Sequence, residues 1–220
     1  MTIQEAIKER HSVRSFKKEP IAPETAAQLE SYIEGINKES GMNFQLIRND
    51  PECFDTFLAH YGKFSNADNY IAVAGPKNLP GLDERGGYYG EKIVLFAQTI
   101  GLNTCWVGGT YGRGKCKATV SPKEKIVCVI AIGYGESGGK QHNSKPLEKI
   151  CSVPEEKMPD WFKTGVEAAL QAPTALNQQK FTISLDGGKP VIKAGMGVMT
   201  KIDLGIVKCN FEEASGRQIK

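Results

Sequence analysis

The chain predicts an α+β fold, and three observations carry that expectation. Leu29, Tyr32, Ile33 and Ile36 keep the i, i+3, i+4, i+7 rhythm of an amphipathic helix. Residues 126 to 132, Ile-Val-Cys-Val-Ile-Ala-Ile, form an unbroken apolar run of strand length, which predicts a central strand buried on both faces. Asp186-Gly187-Gly188 between alternating apolar stretches predicts a hairpin. Helices and strands mix without strict βαβ alternation, so a layered α+β arrangement is favoured over a doubly wound sheet.

The elements follow in order. Thr2 and Glu5 make a capping box, and Ile3, Ala6 and Ile7 give a helical stripe up to Arg10. A second helix starts near Pro23 and is closed by Gly41. Phe44 to Arg48 reads as a strand, Glu52 to His60 as a short helix, and Tyr70 to Ala74 as another strand. A helix is expected from about Glu91 to Ile100, with Ile93, Phe96, Ala97 and Ile100 inside and Gly101 as its stop. After the 126–132 strand, Gly133, Gly135, Gly138 and Gly139 open a loop carrying Lys140, His142 and Lys145. Helix is expected again from roughly Glu155 to Leu170, ended by Pro173. Phe181, Ile183 and Leu185 begin the hairpin that returns through Val191 and Ile192, and a last helix covers Lys201 to Glu213. No repeat of solenoid period is visible.

At 220 residues the chain can bury a sizeable core. Its 28 basic and 25 acidic residues leave a net charge of only +3, which argues against a nucleic-acid partner, so any anion binding must rest on local charge. The longest apolar run has about a third of the length needed to span a bilayer, and the amino terminus lacks the pattern of a secretion signal, so a cytoplasmic protein without a membrane partner is expected. Six cysteines form no C-x-x-C pair and no metal-ligand spacing with the three histidines. Reduced, mostly buried thiols and no metal are therefore expected.

Arg10, His11, Ser12 and Arg14 leave the first helix together. Taken alone they fit either a solvated basic corner or a clamp on one anion, since guanidinium forks pair with phosphate oxygens. The pattern resembles the R-x-S-x-R signature of nitroreductase-like flavoproteins, with His11 departing from the usual second Arg. Three further segments resemble the same family. Gly101 to Thr110 is similar to the stretch that runs along the flavin ring, which implies backbone contacts near Val107, Gly108 and Gly109. Ile130 to Glu136 resembles the family's central strand and turn. Ala172-Pro173-Thr174-Ala175-Leu176-Asn177-Gln178-Gln179 resembles A-P-S-x-x-N-x-Q, which implies that Pro173, Thr174, Asn177 and Gln178 face the cofactor. In the usual family order that motif follows the second helix. Here it stands near the carboxyl end, as in a minority branch of the family.

The resemblance implies a nitroreductase-like mixed sheet flanked by helices, a flavin-binding core over 1–150, and a segment 151–220 that carries the displaced loop and packs on the same domain. It implies FMN as cofactor, NADH or NADPH as donor, and a nitroaromatic, quinone or similar small molecule as acceptor, in a homodimer or in a monomer that completes its own site. No acid or base dyad is visible, so no catalytic residue is named. Lys140 and Lys145 fit solvated loop lysines or phosphate neighbours; Trp106 and Cys105 fit core residues.

Two other functions compete. A flavin store or sensor needs the same clamp without turnover. Gly109 to Cys116, G-T-Y-G-R-G-K-C, misses a nucleotide-binding P-loop by one residue, but Cys116 replaces the hydroxyl that binds Mg²⁺ and Pro122 leaves little room for the required helix.

Overall fold

The computed structural model describes residues 1–57 and 61–220. Thr2 and Glu5 form the expected capping box: Glu5 N–H donates to the Thr2 hydroxyl and Thr2 N–H to the Glu5 carboxylate. This starts helix α1 (Ile3–Glu9), which ends at Arg10 in an extended conformation. Helix α2 (Pro23–Ser40) opens with Pro23 in its first turn and closes at Gly41, whose φ of 68° favours a residue without Cβ.

Strands β1 (Asn43–Ile47), β2 (Tyr70–Pro76), β3 (Asn103–Val107) and β4 (Glu124–Gly133) form one sheet in the order β1-β2-β4-β3. All three pairings are antiparallel, and a parallel bridge from Ser12 to Thr104 makes the sheet mixed at its β3 edge. The apolar run is the inner strand β4. Its alternate residues serve two cores, as the two-residue period of a strand requires: Cys128, Ile130 and Ile132 face the helices, while Val129 and Ala131 face Val13, Phe16, Tyr70 and Tyr111.

Helix α3 (Leu82–Thr99) lies against the sheet. It begins nine residues before the expected Glu91, because Gly86, Gly87 and Gly90 dilute the helical signal. Those glycines are needed for close packing: a Cβ on Gly87 would run into the Ile202 carbonyl, and one on Gly90 into the Trp106 ring. β3 has too mixed a sequence to be read as a strand and is fixed by its ladder to β4. Of the expected Glu52–His60 helix, the start is a 3₁₀ turn, Pro51–Cys53, Phe57 is helical, and the last three positions lie outside the described residues.

Helix α4 (Asp160–Gln171) starts five residues later than expected. Pro159 cannot continue a helix from the 3₁₀ turn Glu155–Lys157, having no N–H and crowding the turn before it. Strands β5 (Phe181–Asp186) and β6 (Lys189–Ala194) form the expected hairpin, joined by Gly187 and Gly188, both at positive φ. Helix α5 (Thr200–Ser215) closes the chain, packed against α3 and α4. Among the elements with described bounds, 3₁₀ turns aside, the order helix, strand, antiparallel strand, helix thus occurs over 23–99 and over 160–215.

Candidate functional site

Past Arg10 the chain runs extended between two neighbours. Val13 N–H donates to Thr104 O at 3.0 Å on one side, and Ser65 N–H donates to Arg14 O at 2.9 Å on the other. Val13 and Phe16 are buried, so the intervening polar side chains point into two adjoining cavities. One, of about 550 Å³, is basic: Arg10, His11, Arg14, Lys140 and His142 line it with Ser12 and Asn177. The other, of about 600 Å³, is mainly apolar, walled by Trp106, Val107 to Thr110, Met199, Ile202 and Ile206. Ser12, Arg14, Pro173, Thr174 and Leu176 border both.

The two arginines differ. Arg14 is exposed at the shared edge. Arg10 is buried, with its Nε 3.8 Å from a carboxylate oxygen of the fully buried Glu91 and Nη2 3.5 Å from Gln171 O. Burial pushes the Glu91 carboxyl up, against the pull of Arg10 and of Trp106 Nε1, which donates to it at 3.0 Å. Arg10 Nε has no hydrogen-bond partner among the described residues. Trp106 is held by Glu91 and Gly90 and still shows a face to the apolar cavity. Cys105 is buried, and burial raises its thiol.

The loop after α4 is conformationally unusual. Leu176, Asn177 and Gln179 all have positive φ, which costs a non-glycine residue about 1 kcal/mol or more and persists only where surroundings over-determine it. They do here. Gln179 N–H donates to Thr174 Oγ1, Gln179 Nε2 to Asn143 O and Asn177 Oδ1, and Lys145 N–H to Gln179 Oε1. Lys145 Nζ donates to Gln178 O at 2.7 Å and to Gln179 O at 3.1 Å, so this lysine is a brace and not a solvated charge. Lys140 is exposed at the basic cavity.

Asp203, in the first turn of α5, completes the support. Its carboxylate accepts from Ala175 N–H at 2.9 Å and from Gln178 Nε2 at 3.1 Å, and burial pushes it up to about 6. Gln178 also donates to Val198 O and lines neither cavity. Met199, at positive φ before α5, lies over Gly108, where any Cβ would collide with its sulfur, whereas the space above Gly109 is open.

Of the residues singled out from sequence, Arg10, His11, Ser12, Arg14 and Asn177 line the basic cavity. Val107, Gly108 and Gly109 line the apolar one, and Pro173 and Thr174 line both. Sequence reasoning missed Met199, Ile202, Asp203 and Ile206, which come from a helix that gave no motif, and also Tyr61, Lys63, Phe64 and His142. The Gly109–Cys116 segment is not a P-loop. It passes through a 3₁₀ turn, Arg113–Lys115, and runs without a helix to β4, so no helix N-terminus faces a phosphate there.

A family model described as "Putative TM nitroreductase" matches residues 2–215. The chain belongs to this nitroreductase family. No curated protein matches it. Among solved structures, a putative nitroreductase of Thermotoga maritima MSB8 is 23% identical, with 97% of this chain and 83% of that one covered at a TM-score of 0.70. A putative nitroreductase of Desulfovibrio desulfuricans in complex with FMN is 21% identical, covering 72% of this chain and 99% of that one at 0.55. One of Exiguobacterium sibiricum, also with FMN, is 15% identical, covering 68% and 95% at 0.53. These likenesses establish a nitroreductase fold, and membership assigns the chain to oxidoreductase chemistry. No helix among the described residues of this nitroreductase family member is long and apolar enough to cross a membrane.

Proposed function

We propose that the chain is an FMN-dependent oxidoreductase that takes a hydride from NADH or NADPH and passes electrons to a nitroaromatic, quinone or similar flat acceptor. The observation that carries this reading is the junction of a basic and an apolar cavity at Ser12, Arg14 and the 173–176 loop. FMN joins a dianionic phosphate to a flat ring and needs cations at one end and an apolar slot with donors at the other. The residues fit it on three counts: the buried Arg10, whose Nε lacks a hydrogen bond, the open backbone at Gly109, and the donor set of Ser12, Arg14 and Asn177.

Arg14, Ser12 and Lys140 would hold the phosphate, with Arg10 behind them. The backbone of Val107 to Gly109 would face the ring edge, and Pro173 and Thr174 would bound it. Met199, Ile202 and Ile206 line the apolar cavity and would exclude water from a bound ring. When bound, FMN supplies the redox chemistry, while the protein supplies binding, orientation and electrostatics. Donor and acceptor would use the same open mouth in turn, which implies ping-pong kinetics. Since residues 151–220 bring both the 172–179 loop and the walls from Met199, Ile202 and Ile206 to cavities shared with the first 150, we propose one functional unit that completes its site within a single chain. Six free cysteines suit a reducing cytoplasm, where we place it.

The purified protein should be yellow, and anaerobic NADH or NADPH should bleach it rapidly. A colourless protein that takes up no FMN on titration overturns the reading. A yellow protein unresponsive to both donors would instead be an FMN store.

A further inference from the structure

Behind the wall of the apolar cavity, two short turns meet. The first, Pro51–Cys53, and the second, Arg113–Lys115, are tied by Gly112 N–H donating to Cys53 O at 2.7 Å and by a Lys115–Glu52 ion pair at 3.3 Å. Cys53 is fully buried at this junction, Cys116 is half-buried against the same core cluster, and the two thiols are near enough to perturb each other's protonation. A polar frame surrounds them. The Tyr70 hydroxyl donates to the fully buried Asp50 at 2.7 Å and accepts from Lys117 N–H at 2.9 Å, while Lys117 Nζ reaches Asp50 at 2.9 Å.

Cys128, Cys151, Cys105 and Cys209 are buried, and burial pushes each of their thiols up. Cys116 is different: its interaction with Cys53, supported by the Ala118 backbone, holds it below the ordinary thiol range, and Cys53 is raised in return. Because the thiolate is the nucleophile, this asymmetry separates an attacking thiol at the surface from a resolving thiol behind it.

We propose that Cys116 and Cys53 form a redox-active pair, an oxidation site that hydrogen peroxide or a similar hydroperoxide converts to a disulfide joining the two turns. The Cys116 thiolate attacks one peroxide oxygen; the S–O bond forms as O–O breaks, and hydroxide leaves to be protonated to water. Cys53 sulfur then attacks the Cys116 sulfenic acid; S–S forms, S–O breaks and a second water leaves. The two thiols lose two electrons and the peroxide gains them, and a dithiol reductant reverses the step. The bond would cross-link the segment that leads to Tyr61–Phe64 with the one that follows Gly108–Thr110, both of which line the apolar cavity. The pair does not depend on the flavin reading.

The test is to pre-reduce the purified protein, treat it with equimolar hydrogen peroxide, alkylate it under denaturing conditions and map peptides. The expected result is a drop from six free thiols to four, a linked peptide pair carrying Cys53 and Cys116, and full reversal by dithiothreitol. Cys53→Ser should leave Cys116 as a sulfenic acid trapped by dimedone, and Cys116→Ser should leave Cys53 reduced. Six retained thiols in the wild-type protein, or a linkage between other cysteines, overturns the proposal whether or not either variant folds.

Discussion

Arg10 and Arg14 flank Ser12 symmetrically in the sequence, yet the fold divides their work. Arg10 faces Glu91 and the Gln171 carbonyl from a buried position, whereas Arg14 stands exposed where the two cavities join. Arg14→Ala should therefore weaken FMN binding through loss of a charge-assisted contact, by about 1.5 to 3 kcal/mol, measured by fluorescence titration without loss of folded structure. Asp203 makes a pH prediction. Its folded carboxyl sits at about 6, above the ordinary 3.8, so between those values the folded state binds more protons than the unfolded one. Stability should fall as pH rises from about 4 to about 6, by up to about 3 kcal/mol from this group, and Asp203→Asn should flatten that part of the profile in denaturant titrations. Ser12 and Arg14, and separately Gly108 and Gly109, were legible as cavity-lining residues because each pair lies within one short stretch. Asp203 was not, since nothing near it in the chain names the Ala175 and Gln178 groups it receives.

At the scale of elements, α3 and α5 cross through bare backbone. A Cβ on Gly205 would run into Glu84 O and Tyr88 N, the reciprocal of the Gly87 contact with Ile202. Gly205→Ala should lower stability by about 1 to 3 kcal/mol through overpacking, although alanine is intrinsically the better helix former by about 1 kcal/mol. Thermal unfolding would register this as a drop of several degrees in Tm. The same glycines explain why the first half of α3 escaped prediction: their service to packing reads locally as poor helix propensity. The 172–179 loop shows the opposite case. Its motif is plain in the sequence, but its left-handed backbone depends on Asn143, Lys145 and Asp203. Lys145→Ala should loosen it and reduce FMN affinity about tenfold, read in the same titration as Arg14→Ala.

At the scale of the molecule, the repeated order helix, strand, strand, helix accounts for the displaced motif. Residues 172–179 lie between α4 and β5, as Gly41 and Met42 lie between α2 and β1, so on the proposed flavin reading the second unit would supply the loop that the first lacks. A chain that finishes its own site should run as a monomer in light scattering and bind one FMN. A dimer with one flavin shared across two chains would sink that expectation. By itself, the sequence determined the α+β class, the inner strand β4, the hairpin, the capped first helix and the motif-bearing stretches that line the two cavities, because periodicity, caps and turn residues act over a few positions. Only the tertiary structure decided that those stretches meet at two adjoining cavities, that α5 walls the apolar one, and that Lys145 and Asp203 hold the 172–179 loop. Those outcomes rest on contacts between residues 25 to 161 positions apart, whose energies leave no local pattern to read.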